Sequence, residues 1–314
     1  MALDEATQSF LAQMSAAGGS PLHELDPVTA RKASALPEEL MGAGPEMART
    51  EERTLATADG GVLGIRVLVP GDSPAGVVVY YHGGGWVIGD IDQFDTLGKV
   101  LADRTGCAVV LVNYRKAPEH PYPAAVEDAW QALNWAHDNL ASTAGRTLPL
   151  IVAGDSAGGN LAAVMAQRAA TRNGPDIALQ VLIYPVTDAD FDRPSYVDPQ
   201  NQLLLSRDTM IWFWNHYAEP ARRTEPEVSP LRADDLSGLP PAVVITAEHD
   251  PLRDEGQAYA AALEAAGVPV HHRQFAGQMH GFFTMVNILP GSAAGIDFVA
   301  TEITGHLRDD TAGR

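Results

Sequence analysis

Short, dense apolar runs alternate along this chain with longer stretches in which apolar residues recur every three or four positions. The runs fall near Val62 to Val69, Gly76 to Tyr81, Ala108 to Asn113, Leu150 to Gly154, Leu179 to Tyr184, Ala242 to Ala247 and Val270 to Phe275. Each is too short for an ordinary helix and rich in β-branched residues, which suits strands buried on both faces. Between most of them, Asp92 to Thr105, Tyr122 to Leu140, Gly159 to Arg172, Leu252 to Ala266 and Ile296 to Leu307 show helical spacing. Strands alternating with helices predict an α/β architecture with a mainly parallel central sheet covered by helices on both faces. No internal repeat or low-complexity tract interrupts the alternation.

Two stretches break it. Residues 1–49 carry a pair of helical segments, and residues 189–240 form a proline-punctuated excursion containing the aromatic run Trp212-Phe213-Trp214-Asn215-His216-Tyr217. Both are expected to form a helical cap on a catalytic domain spanning 50–314. An aromatic run usually means packing. A lid over a small-molecule site lets it serve packing and binding together, with Trp86, Trp212, Trp214 and Phe282 as candidate pocket walls.

The chemistry centres on Gly154-Asp155-Ser156-Ala157-Gly158, where the strand-like run Leu148 to Ala153 meets the helix-like run Asn160 to Arg172. A serine on so sharp a strand-to-helix turn takes a strained backbone conformation, and Gly154 and Gly158 leave room for the strand and helix to close around it. The turn points the Ser156 hydroxyl away from the sheet. It also leaves the Ala157 amide at a helix N-terminus, placed to donate to an oxyanion. Upstream, His82-Gly83-Gly84-Gly85-Trp86 directly follows the run Val77 to Tyr81. Glycines let a backbone approach a ligand and turn its amides inward, so Gly83 and Gly84 are the remaining candidate oxyanion donors. A phosphate cradle would want a lysine or a GxGxxG spacing beside a helix, and neither is present.

A proton-transfer pair is expected C-terminal to the serine, in the order acid then histidine. Asp250 follows the run Ala242 to Ala247, with Pro251 placed to start the next helix and Asp254 and Glu255 inside it. Asp250 is therefore the candidate acid, with Glu248 as the alternative. Beyond Val270 to Phe275, the loop Gly277-Gln278-Met279-His280-Gly281-Phe282 offers one histidine. His280 is the candidate general base, with Asp250 fixing its tautomer. Among the other nine of the ten histidines, His271 and His272 face opposite sides of a strand. His82 is placed to brace the glycine loop. His249 beside Asp250 belongs to no metal-ligand spacing, so no metal is expected. His23, His120, His137, His216 and His306 read as surface or packing residues.

Taken together, His82-Gly83-Gly84-Gly85-Trp86, Gly154-Asp155-Ser156-Ala157-Gly158-Gly159-Asn160, Asp250-Pro251-Leu252-Arg253-Asp254-Glu255 and His280-Gly281-Phe282 resemble the bacterial branch of the hormone-sensitive-lipase family of esterases. The resemblance spans most of the chain. It implies an α/β-hydrolase fold and carboxylic ester hydrolysis, with Ser156, Asp250 and His280 as triad and Gly83, Gly84 and Ala157 as oxyanion hole. It also implies that Asp155 anchors the turn and neighbouring loops, and that Tyr184-Pro185 shapes the site wall. No cofactor is implied. Short soluble esters suit a capped pocket, while lactones, acetylated xenobiotics and amides remain open to the same machinery. The resemblance extends to plant hormone receptors, which lost catalysis by replacing the histidine kept here as His280; a peptidase of related fold is a second rival, though its usual larger extra domain does not fit a chain of this length. Related enzymes often pair through a sheet edge, so a homodimer is the expected assembly.

Composition adds boundaries. A chain of 314 residues with 46% hydrophobic content builds a sizeable core. A net charge of -19 and a pI near 4.7 argue against nucleic acid or an anionic membrane as partner, and leave adaptation to salt open. The lone Cys107 forms no internal disulfide and is expected to be buried. Acidic Asp4 and Glu5 stand where a secretory signal needs basic residues, and no apolar run reaches spanning length, so a cytoplasmic location is the expectation.

Overall fold

A computed structural model describes residues 2–34, 38–143 and 146–312. The chain begins with helices α1 (Glu5–Ala17), α2 (Pro27–Ala33) and α3 (Glu38–Met41), followed by strands β1 (Arg49–Ala56), β2 (Val62–Val69) and β3 (Val77–Tyr81). Next come α4 (Asp95–Thr105), β4 (Ala108–Asn113) and α5 (Ala124–Ala136), then a minor hairpin, β5 (Ser142–Thr143) with β6 (Arg146–Thr147). The nucleophile junction is formed by β7 (Leu150–Asp155) and α6 (Ala157–Thr171), after which β8 (Leu179–Ile183) leads into α7 (Pro194–Val197) and α8 (Arg207–Tyr217). The fold closes with β9 (Ala242–His249), α9 (Arg253–Ala265), β10 (Val270–Met279) and α10 (Pro290–Ala312).

Eight strands form one sheet in the order β1-β2-β4-β3-β7-β8-β9-β10. The pairs β1–β2 and β2–β4 are antiparallel, and the rest are parallel. Both faces are covered. On one, Val77, Val79 and Tyr81 pack with α5 and α6; on the other, Val78 and Tyr80 pack with α4 and α10. All five β3 side chains are buried, which is why its sequence, Val-Val-Val-Tyr-Tyr, shows no polar alternation.

The strand β1 escaped the apolar pattern. Its sequence, Arg-Thr-Glu-Glu-Arg-Thr-Leu-Ala, lies at the sheet edge with most side chains exposed, so no buried face demands apolar residues. At the opposite edge β10 runs beyond Phe275 to Met279, because Gly277 at φ +69° accommodates a register shift and the strand resumes pairing with β9. The last helix is also longer than its apolar spacing suggests. Gly291 and Gly295 dilute the pattern, yet their missing side chains let α10 press on Gln278 and Phe283. Helix α6 starts at Ala157, immediately after the serine. Cys107 is buried before β4, and burial pushes its thiol up to about 11. No described helix is long and apolar enough to cross a membrane.

The N-terminal helices and the excursion touch one another and the loops that follow several strands. His23 and Thr209 of α8 share a hydrogen bond of 3.3 Å. Arg31 of α2 donates to the carbonyls of Val87 and Ala117 and pairs with Glu119. Asp4 caps α1 through the Thr7 amide, while its own amide donates to Gly277 and its carboxylate accepts from Gln278. The excursion is tied to the other side of the site: Ser195 Oγ donates to the Pro251 carbonyl at 2.6 Å, and the Ser195 amide donates to Asp254.

Candidate active site

Ser156 occupies the junction of β7 and α6 at φ 55° and ψ −118°, a conformation that a residue with a side chain adopts only under constraint. The constraint is visible in the flanking glycines. A Cβ on Gly158 would stand 1.8 Å from the Tyr81 carbonyl oxygen, and one on Gly154 would stand 2.3 Å from the Gly158 carbonyl oxygen. Strand, turn and helix are in backbone contact, and the Ser156 amide donates to Ile183 in the neighbouring strand. The serine is 7% exposed.

Three chain segments converge on its hydroxyl. His280, just past β10, places Nε2 3.1 Å from Ser156 Oγ and Nδ1 2.8 Å from Asp250 Oδ2. A carboxylate accepts, so Nδ1 carries the proton and Nε2 is free to accept from the serine. Asp250 is fully buried, and its Oδ1 accepts from the Leu252 amide at 2.8 Å. The chain turns at Pro251 and α9 begins two residues later, at Arg253, with Asp254 and Glu255 in its first turn. Glu248 faces elsewhere: its carboxylate accepts from the Gly277 amide at 2.7 Å and so steadies the approach to the histidine loop. Tyr184, at φ 35°, sets its ring 4.6 Å from the His280 ring.

In the loop after β3, Gly84, Gly85 and Trp86 all adopt positive φ, so the loop curls back on itself. Here the expected donor set changes. The Gly83 amide donates to Asp155 Oδ1 at 2.9 Å, an engagement that removes it from any oxyanion. The amides of Gly84, Gly85 and Ala157 have no hydrogen-bond partner among the described residues. Gly85 was not expected from sequence, because which glycine amides of the three stay unpaired depends on the register of parallel strands. Tyr81 pairs with Gly154, which brings Gly83 beside Asp155. His82 braces the loop: its Nδ1 lies 2.6 Å from the Gly83 carbonyl, and its ring stacks on Tyr114 at 4.4 Å. Burial holds its imidazole well below the ordinary value, hence neutral, with Nδ1–H as donor.

The aromatic candidates divide. Trp86 and Trp214 have no exposed surface, and Trp86 stacks on Tyr217 at 3.9 Å with the Trp214 ring edge-on at 5.1 Å. Phe282 is equally buried, behind Tyr184 and Phe275. Trp212 is partly exposed and packs against Phe213 and His216. Phe213 was not singled out from sequence, yet its ring fills the space where a Gly85 Cβ would stand, at 2.2 Å. His271 reaches Glu302, and His272 bonds Thr246, so neither faces the serine. Among the described residues no three His, Cys, Asp or Glu side chains gather as a metal site. An open groove of about 640 Å³ lined by Asp59, Arg115 and Trp130 lies apart and contains none of the converging residues.

A hydroxyl on a strained elbow, an imidazole bonded to it with a buried carboxylate behind, and a neighbouring glycine loop with unpaired amides define the nucleophile site of an α/β hydrolase. Comparison with known proteins places the chain further. Residues 78–284 match a family model described as alpha/beta hydrolase fold. A carboxylesterase of Mycobacterium tuberculosis, NlhH, is 42% identical over 265 residues, covering 82% of this chain and 81% of that one. An ethyl acetate hydrolase of Pseudomonas putida is 39% identical over 297 residues, covering 91% and 92%. The solved hyperthermophilic esterase of the archaeon Pyrobaculum calidifontis superposes with a TM-score of 0.89 at 39% identity, covering 97% of this chain and 99% of that one. The chain belongs to the alpha/beta-hydrolase family, among the hormone-sensitive-lipase-like esterases.

Proposed function

We propose that this chain is a serine carboxylesterase that hydrolyses short-chain carboxylic esters through an acyl-enzyme. Ser156 Oγ attacks the ester carbonyl carbon as His280 Nε2 takes its proton, and Asp250 stabilises the resulting imidazolium. The carbonyl oxygen, now negative, receives the amides of Gly84, Gly85 and Ala157. His280 then protonates the departing alcohol oxygen, leaving the acyl group on Ser156. Water enters, gives a proton to His280 and attacks the acyl carbon; His280 then returns that proton to Ser156 Oγ as the acid leaves. The reading is carried by one observation: the unbroken relay from Ser156 Oγ through both nitrogens of His280 to buried Asp250. Short acyl chains are favoured by the burial of Ser156, only 7% exposed, and by a helical cap drawn from the described residues of 1–49 and 189–240.

Hydrolysis of a para-nitrophenyl ester series from acetate to palmitate, with Ser156→Ala as control, tests this. Turnover should peak at short chains and fall by roughly 10⁴-fold or more in the variant. A folded Ser156→Ala protein that keeps appreciable turnover would remove the serine from the mechanism.

A further inference from the structure

We propose that Ser195 is a positioning residue for the catalytic acid: from the excursion it caps α9 across 59 positions of chain, and so fastens the Asp250 turn to the excursion. The inference rests on the esterase reading above and adds what steadies the acid behind His280.

A helix leaves its first amides without partners inside the helix, and the residue just before it usually supplies a side-chain acceptor. Helix α9 has no such residue. Leu252 stands at its N-cap position, and its apolar side chain makes no capping bond. The acceptor comes from another segment: the Asp254 amide donates to Ser195 Oγ at 3.3 Å, and the Asp254 carboxylate accepts from the Ser195 amide at 2.8 Å. This is the reciprocal exchange of a capping box, made between two chain segments instead of within one. Ser195 has no exposed surface, and its hydroxyl proton goes to the Pro251 carbonyl at 2.6 Å. Its own carbonyl accepts from Asn201 Nδ2 at 2.8 Å, so every polar group of the serine is engaged.

That exchange bears directly on the acid. Asp250, Pro251 and Leu252 form one turn, closed by the bond from the Leu252 amide to Asp250 Oδ1 at 2.8 Å. Ser195 holds the same turn at the carbonyl of Pro251, a buried residue, and without the hydroxyl that carbonyl loses its donor away from water. The other carboxyl oxygen of Asp250 is the one that meets His280 Nδ1 at 2.8 Å, so a shift of the turn is a shift of the relay. Glu255, next along α9, adds to the hold: it accepts from the Thr187 amide at 2.8 Å, while Thr187 Oγ1 donates to the Glu255 carbonyl at 2.9 Å. The excursion that carries Ser195 in α7 also carries Phe213 in α8, seated on Gly85 of the donor loop. One segment therefore touches both the acid turn and the oxyanion loop.

Ser195→Ala removes the hydroxyl and leaves the backbone bonds. The test measures kcat and KM on para-nitrophenyl acetate for wild type, Ser195→Ala, Asp250→Asn and the double variant, with Ser156→Ala as the floor. Ser195→Ala should lose about tenfold in kcat with KM changed less than about threefold, because a displaced relay slows the chemistry without weakening substrate binding. In the Asp250→Asn background the relay is already broken, so adding Ser195→Ala should cost less than about twofold more. That readout separates positioning from a general structural defect, which would multiply in both backgrounds. Asp254→Ala, which removes the other half of the exchange at a partly exposed side chain, should behave likewise, and its cycle decides if thermal unfolding shows that Ser195→Ala does not fold. A folded Ser195→Ala with near-wild-type kcat, a loss confined to KM, or a tenfold loss repeated in full beside Asp250→Asn overturns the proposal. Wild-type turnover that Ser156→Ala abolishes, with the Ser195 and Asp254 variants behaving as wild type, sinks this proposal alone; no wild-type turnover sinks the esterase reading and this inference with it.

Discussion

His280 Nδ1 lies 2.8 Å from Oδ2 of Asp250, a carboxylate with no exposed surface whose second oxygen is held by the Leu252 amide. The acid cannot rotate away without leaving a buried amide unpaired. Asp250→Asn should therefore keep the fold and offer His280 the wrong tautomeric partner, lowering kcat by roughly 10³- to 10⁴-fold. Glu248→Gln retains an oxygen for the Gly277 amide and should change kcat less than about tenfold. Steady-state kinetics on the two purified variants checks the assignment, and a reversed ranking would make Glu248 the acid.

The elbow glycines make a stability prediction. Gly158→Ala drives a methyl to 1.8 Å from a backbone oxygen, which no side-chain rotamer can relieve, so strand and helix must separate. We expect little folded protein, with Ser156→Ala as the folded comparison because it adds no atoms. At Gly267, φ is +83° but no atom lies within 4 Å, so alanine there meets only the backbone cost, about 1 kcal/mol. Circular dichroism melting of the three variants separates crowding from conformational strain.

The contrast also explains how much was legible in the sequence. The parallel strands were readable because burial on both faces leaves uninterrupted Val-Val-Val-Tyr-Tyr runs, and the junction at Ser156 because its steric demand writes two glycines at fixed spacing. The strand Arg49–Ala56 was not, since an exposed edge places no demand on hydrophobicity. Strand register leaves no local trace either, so the sequence offered Gly83 as a donor, while the pairing of Tyr81 with Gly154 turns its amide onto Asp155. Likewise the aromatic run Trp212 to Tyr217 announced packing, but only the fold reveals that Phe213 sits on Gly85 and Tyr217 on Trp86.

That packing joins the donor loop to α8. Truncating Phe213 to alanine empties the space against Gly85 and should destabilise the protein by about 3 kcal/mol or more. The loop then loses one of its supports, so kcat should fall even for acetate esters, which are too short to need the vacated volume. Urea unfolding together with kinetics on the acetate ester checks both effects. Faster turnover of acetate by Phe213→Ala would mean that the ring obstructs the site instead of supporting it.

Two buried carboxyls give the protein a pH-dependent stability whose sign can be worked out. Burial raises Glu255 well above its ordinary 4.5, although its Oε1 accepts from the Thr187 amide at 2.8 Å, and burial raises Asp155 from 3.8 to about 6. In each case the folded state keeps a proton that the unfolded chain releases, so their contribution is fully present below about pH 4 and is lost as pH rises through the folded values. Each group still holding its proton costs roughly 1 kcal/mol of stability per pH unit in that window. Glutamine at 255 preserves an acceptor for Thr187 and cannot ionise, so Glu255→Gln should be less sensitive to pH than wild type and relatively more stable at pH 8 than at pH 5. Urea unfolding at pH 5, 6.5 and 8 measures the slope directly. An identical slope in the variant would mean that Glu255 is ionised in the folded protein and that a counter-charge, not burial, governs it.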